Sequence, residues 1–182
     1  MTTASKVTMV RVFMIPLFML FMYWDFSYSD LAALLIFAAA GITDSIDGYI
    51  ARKYNQVSNF GKFIDPLADK LLVMAAILVF VERGQMPGWA AMVIITREFA
   101  VTALRLVAVE GGKVIAAGTS GKIKTVTSIV AICVMITELH SLEFIPGLLT
   151  VNRLCIFLMV LTTLWSGVEY FIKNRHVLDI KS

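Results

Sequence analysis

Six apolar runs, each close to twenty residues and separated by short polar turns, leave this chain few ways to fold. About 20 residues of α-helix cross the ~30 Å hydrocarbon layer of a bilayer. A backbone in lipid must also satisfy its own hydrogen bonds, which a helix does internally. The runs occupy residues 7–24, 31–53, roughly 61–82, 88–109, 121–141 and 146–173. Lys6 and Arg11 give the first run the look of a signal peptide, but no small-residue cleavage site follows, and Tyr23-Trp24 reads as an interfacial anchor. A retained helix is expected there. The predicted fold is an all-α integral membrane protein of six transmembrane helices, one domain over residues 1–182, with no internal repeat or linker. Composition agrees: 59% of residues are hydrophobic and 16% charged, against roughly 45–50% apolar in soluble domains.

The turns set the orientation, because Lys and Arg near helix ends mark the cytoplasmic side. Lys6, Arg11, Arg52, Lys53, Lys62, Lys113, Lys122, Lys124, Lys173, Arg175 and Lys181 fall on one side, and Arg83 is the one basic residue in the opposite turns. Both termini are therefore expected in the cytoplasm. Asp25, Asp30, Glu82, Glu138 and Glu143 read as solvated charges of the outer turns. The net charge of +3 is too mild to point to nucleic acid as a partner. Cys133 and Cys155 lie inside apolar runs without CxxC spacing and are expected to be buried free thiols.

Two runs are too short to cross lipid on apolar residues alone. Residues 31–43 and 71–81 fall well below the ~20 needed, so the acidic segments beside them belong to the spans. Asp44 and Asp47 are spaced i,i+3, and Asp65 and Asp69 i,i+4, so each pair shares a helical face. The two runs are consecutive and antiparallel, which brings both pairs to one cytoplasmic depth. Four like charges there must be protonated, paired or bound to cations. Hard divalent cations with oxygen ligands fit best, Mg²⁺ or Mn²⁺ as a pair, since His140 and His176 belong to distant loops and no cysteine lies near to favour zinc. A solvated DxxD, or Asp65 as an N-cap with Pro66 at N1, would explain either pair alone. Neither explains both pairs meeting at one depth beside Gly48, Ala51 and Gly61, which leave room for a ligand, with Arg52 a forked cation for phosphate.

The pattern Asp44-x-x-Asp47-Gly48-x-x-Ala51-Arg52, eight residues, then Gly61-x-x-x-Asp65-x-x-x-Asp69 resembles the signature of the CDP-alcohol phosphatidyltransferases without a gap or substitution. That resemblance implies a six-helix core, usually homodimeric. It implies that Asp44, Asp47 and Asp65 ligate two metal ions holding the pyrophosphate of a CDP-linked lipid, with Asp69 completing the site and serving as general base. Gly48, Ala51, Arg52 and Gly61 would form the cytidine nucleotide pocket, and Thr8 matches a threonine that helps bind the nucleotide in relatives. Where the family often has Asn three positions before that threonine, this chain has Ser5, which is left out of the site.

The fourth run carries Arg97 and Glu98 near its middle and Arg105 two turns on, and ionisable residues at such depth mark functional sites. With Lys122 and Lys124 at the start of the fifth run, Arg97 and Arg105 would suit an acceptor that itself carries phosphate. Glu98 is expected to pair with one of these cations or with Arg153, read as buried in the last run. The segments Thr96-Arg97-Glu98-Phe99-Ala100-Val101-Thr102-Ala103-Leu104-Arg105-Leu106 and Gly121-Lys122-Ile123-Lys124-Thr125 resemble the bacterial phosphatidylglycerophosphate synthases within that family. The resemblance implies transfer from CDP-diacylglycerol to sn-glycerol 3-phosphate, giving phosphatidylglycerophosphate and CMP, at the cytoplasmic face of a bacterial inner membrane. Other acceptors, serine, inositol phosphate or phosphatidylglycerol, share the same signature. An intramembrane prenyltransferase would lack the Gly48, Ala51, Arg52 and Gly61 set, and a cation transporter would be indifferent to cytidine nucleotides.

Overall fold

The computed structural model describes residues 3–24, 26–54, 59–110, 118–137, 143–145 and 149–175. The side chains of residues 3–8, 11, 42, 44–54, 59–69, 109, 110, 143–145 and 149 are outside that description. Among the described residues six helices follow in order: α1 (Thr3–Tyr23), α2 (Ser29–Tyr54), α3 (Asn59–Glu82), α4 (Gly88–Glu110), α5 (Thr119–Ile136) and α6 (Val151–Lys173). Each apolar run of the sequence thus becomes one helix.

The last turn departs from the expectation. Helix α5 stops at Ile136 rather than near residue 141, and α6 starts at Val151 rather than near residue 146. Between them a short antiparallel ribbon pairs β1 (Glu143–Ile145) with β2 (Leu149–Thr150). The start of α6 is set by Thr150, whose side chain accepts a hydrogen bond from the backbone N–H of Arg153 at 3.2 Å and so satisfies one of the helix's orphan donors. Arg153 is consequently an exposed first-turn residue, not the buried cation expected of the last run. Helix α3 begins six residues before Asp65, so Asp65-Pro66 lies inside the helix and does not cap it.

Exterior and core are both apolar. Phe13, Leu35, Met92, Val126, Phe157 and Ile172, from five different helices, are all more than half exposed. Monomeric soluble proteins rarely present such continuous apolar surface, and an exterior of this kind belongs in lipid. Two helices, Thr119–Ile136 and Val151–Lys173, are long and apolar enough to cross a membrane, with mean hydropathy 1.4 and 1.7. In α1 and α2 the apolar stretches are shorter, Val12–Tyr23 and Ser29–Gly41, while α3 and α4 carry ionisable residues in mid-helix. Inside the bundle Phe18 of α1 meets Phe37 of α2 with ring centroids 5.9 Å apart. Ala33, Ala40, Ala76 and Ala90 are buried at the contacts between helices, where small side chains let backbones approach. Cys133 and Cys155 are free, as expected, but half-buried.

Asp30, Glu82 and Arg83 of the outer turns are solvent-accessible, as expected, and also form a clasp, while Asp25, Glu138 and the side chain of Glu143 lie outside the described residues. Arg83 pairs with Asp30 at 3.6 Å and donates to the carbonyl of Met22, and the hydroxyl of Tyr23 donates to Glu82. These contacts tie the ends of α1, α2 and α3. The chain then reverses through Gly84, whose φ of +70° only glycine adopts without strain.

Candidate active site

Helix α2 carries Asp44, Asp47, Gly48, Ala51 and Arg52 in its last three turns, and α3 carries Gly61, Asp65 and Asp69 in its first half. At 3.6 residues per turn each acidic pair spans about one turn of helix, as the spacing required. Thr8 lies in α1. The side chains of all nine residues lie outside those described, so these expectations rest on helix membership. The donor set is wholly carboxylate, which suits a hard divalent cation such as Mg²⁺ or Mn²⁺.

Directly after Asp69 the side chains are described, and they open on a charged cluster. Glu98 of α4 sits at its centre. One carboxylate oxygen, Oε1, accepts from Nη1 of Arg97 at 3.0 Å and from Nζ of Lys124 in α5, while Oε2 faces Nζ of Lys70 in α3 at 3.7 Å. Three helices therefore meet on one carboxylate. Lys124 is almost wholly buried, and the other three are largely so. Ions at such depth are costly to leave unpaired, which explains why Glu98 lies among these cations.

Of the four cations the sequence nominated for an acceptor phosphate, the structure brings two together, Arg97 and Lys124. Arg105 turns to α6, where its Nε donates to the hydroxyl of Tyr170 at 3.3 Å and its guanidinium lies 5.6 Å from the ring centroid. Lys122 is exposed on α5. Lys70 takes a place in the cluster that the sequence reading missed, although a lysine at the head of an apolar run was a signal that could have found it. Glu98 has Arg97, Lys124 and Lys70 as partners in place of Arg153.

The cluster closes one end of a cavity of ≈ 430 Å³ between α2, α3, α4 and α5. Lys70, Glu98, Lys124 and Thr125 line it at the end toward Asp69, and Phe37, Ile77 and Cys133 line the remainder. On the same wall Ser128 is buried, and among the described residues its hydroxyl has no hydrogen-bond partner. Buried hydroxyls ordinarily find a hydrogen-bond partner, so the cavity offers a polar atom to whatever fills it. The space is charged at one end and apolar along its length.

Residues 1–165 match the family model described as CDP-alcohol phosphatidyltransferase. The chain belongs to that family. Among its relatives the CDP-diacylglycerol–glycerol-3-phosphate 3-phosphatidyltransferase of Bacillus subtilis is 49% identical over 148 residues, covering 81% of this chain and 76% of the relative. The protein of the same description from Escherichia coli K12 is 36% identical over 174 residues, covering 93% and 92%. That of Haemophilus influenzae is 35% identical over 147 residues, covering 78% and 76%. In this CDP-alcohol phosphatidyltransferase the charged cluster thus begins one residue past the last aspartate of the family signature.

Proposed function

We propose that this chain transfers the phosphatidyl group of CDP-diacylglycerol to sn-glycerol 3-phosphate, forming phosphatidylglycerophosphate and releasing CMP. The reading places six spans in a bacterial cytoplasmic membrane, both termini and the active site on the cytoplasmic side, and the chain as a homodimer. Asp44, Asp47, Asp65 and Asp69 would hold two Mg²⁺ or Mn²⁺ ions, whose chemistry when bound is to neutralise the pyrophosphate. Thr8, Gly48, Ala51, Arg52 and Gly61 would seat the cytidine nucleotide. Asp69 takes the proton of the acceptor hydroxyl as its oxygen bonds to the phosphatidyl phosphorus. The bond from that phosphorus to the bridging oxygen breaks, and CMP departs with the electron pair, its charge met by Arg52.

What supports the choice of acceptor is the similarity to relatives of that description, together with the cations found beside the signature. Lys70 and Lys124 line the cavity next to Glu98, and cations so placed suit an acceptor that bears its own phosphate. The experiment is purified protein with CDP-diacylglycerol, Mg²⁺ and one alcohol at a time: sn-glycerol 3-phosphate, serine, inositol phosphate or phosphatidylglycerol. CMP release with sn-glycerol 3-phosphate well above the others is expected. Preference for serine or inositol phosphate would overturn the acceptor assignment, and no cytidine-dependent transfer at all would overturn the reaction.

A further inference from the structure

Helix α6 holds none of the residues that the signature or the acceptor cations nominate, yet one of its stripes is unusual for a helix in lipid. Thr163, Ser166, Gly167 and Tyr170, spaced i, i+3, i+4 and i+7, are all buried, while Leu164, Trp165 and Val168 beside them are exposed. The stripe faces α4. A Cβ on Gly167 would stand 3.1 Å from Cγ of Arg97 and 3.9 Å from its Nε, so the arginine stem lies flush on bare backbone. Arg97, Thr163 and Gly167 line one groove between the two helices, in which Nε of Arg97 and the hydroxyl of Thr163 are buried without a hydrogen-bond partner. One turn further along α6, Tyr170 receives Nε of Arg105.

We infer that this stripe is a rack for the two arginines of α4, with Gly167 and Tyr170 as positioning residues for recognition of the acceptor. The inference rests on the reading of Arg97 and Arg105 as acceptor-phosphate cations. Arg97 has two tasks on two sides: Nη1 must reach Glu98 at 3.0 Å, and its stem must pass α6 without a side chain in the way. A Cβ at position 167 would crowd that path, at 3.1 Å from Cγ of Arg97. Arg105 gives its Nε–H to Tyr170, and among the described residues the other donors of the guanidinium stay available to a ligand. Phosphate recognition by a guanidinium depends on the aim of its planar fork, so an arginine allowed to swing binds the acceptor less well even though its charge is unchanged.

The test compares Gly167→Ala, Tyr170→Phe, Arg97→Lys and Arg105→Lys with the unaltered protein, measuring KM for sn-glycerol 3-phosphate, KM for CDP-diacylglycerol, kcat and Tm. Alanine is the better helix former, so Gly167→Ala is expected to keep its Tm. Its methyl group crowds the Arg97 stem and shifts it by a few tenths of an ångström, and the KM for sn-glycerol 3-phosphate should rise roughly two- to tenfold, the cost of straining a rotamer. Tyr170→Phe should do the same by removing the acceptor for Arg105. In both variants the KM for CDP-diacylglycerol stays within about twofold, the margin expected where no contact to that substrate changes. If both KM values and kcat worsen together, the stripe is only packing and the inference fails. If the two arginine variants raise KM for sn-glycerol 3-phosphate while Gly167→Ala and Tyr170→Phe leave it unchanged, the rack is refuted and the acceptor reading stands. If Arg97→Lys and Arg105→Lys also leave it unchanged, that reading falls and takes the rack with it.

Discussion

Replacing Glu98 with glutamine removes one charge and almost no volume, so it isolates what the carboxylate does for the three cations around it. The side chains of Lys124, Arg97, Glu98 and Lys70 are 5%, 13%, 14% and 20% exposed, so water screens the cluster poorly. Contacts at 3.0 and 3.7 Å are each worth on the order of 4–6 kcal/mol at an effective dielectric near 20, before desolvation is counted. Removing one partner of a buried pair costs about 3–5 kcal/mol net. For a chain of this length that is a loss of about 6–20 °C in Tm. Thermal unfolding of the detergent-purified protein measures it directly. The same experiment asks whether the cations form an anion site. At one fixed concentration sn-glycerol 3-phosphate should raise the Tm of Glu98→Gln more than that of the wild type, because the ligand replaces a lost counter-charge and binds more tightly; at a hundred times its Kd it returns about 2.7 kcal/mol. A Glu98→Gln protein melting within about 2 °C of wild type, a shift below 1 kcal/mol, would refute the reasoning.

Asp69→Asn should reduce transfer by about 10²-fold or more, the usual contribution of a general base, with Tm and membrane insertion unchanged; retained activity would remove Asp69 from that role. Lys124→Ala should raise KM for sn-glycerol 3-phosphate about tenfold or more, the cost of one charged hydrogen bond, and leave KM for CDP-diacylglycerol nearly unaltered. Equal losses for both substrates would assign Lys124 to structure alone. Arg83→Ala opens the outer clasp and should lower Tm by a few degrees, since its pair with Asp30 is partly exposed and worth about 1 kcal/mol or less, while kcat and both KM values hold. EDTA should abolish CMP release, and Mg²⁺ or Mn²⁺ should restore it; activity surviving chelation would remove the metals from the mechanism.

Which segments are helical was legible in the sequence, because hydrophobic length and period are local properties. Nine of the twelve expected boundaries, at Trp24, Leu31, Lys53, Gly61, Glu82, Gly88, Val109, Gly121 and Lys173, lie within two residues of the helix ends found. The family was legible for a similar reason: the signature needs only spacing along two helices. The miss at residues 136–151 was a competition between two possible starts of α6. Pro146 is a good first residue for a helix, but Thr150 makes the capping bond to the N–H of Arg153. The pairing of charges was not legible. Periodicity places Glu98 on a face of α4, but the rotation of α4 against its neighbours decides whether that face meets Lys70, Lys124 or Arg153. That rotation is fixed by contacts distant in sequence, such as the seat of Arg97 on Gly167. For the same reason Arg83 and Glu82 looked like independent loop charges until α1 brought Met22 and Tyr23 beside them.

Among the described residues two charge networks join different helices, and they differ in what borders them. In the outer clasp Arg83 meets Asp30 and the carbonyl of Met22, and Glu82 meets the hydroxyl of Tyr23. That network holds helix ends together. Around Glu98 one carboxylate joins cations of α3, α4 and α5, and Lys70, Glu98 and Lys124 also line a cavity. Ions at that depth are costly unless each meets an opposite charge. Of the two networks, only the one bordering a cavity is placed to admit a phosphate among its cations, so a change at Glu98 should be felt in both Tm and ligand response, and a change at Arg83 in Tm alone.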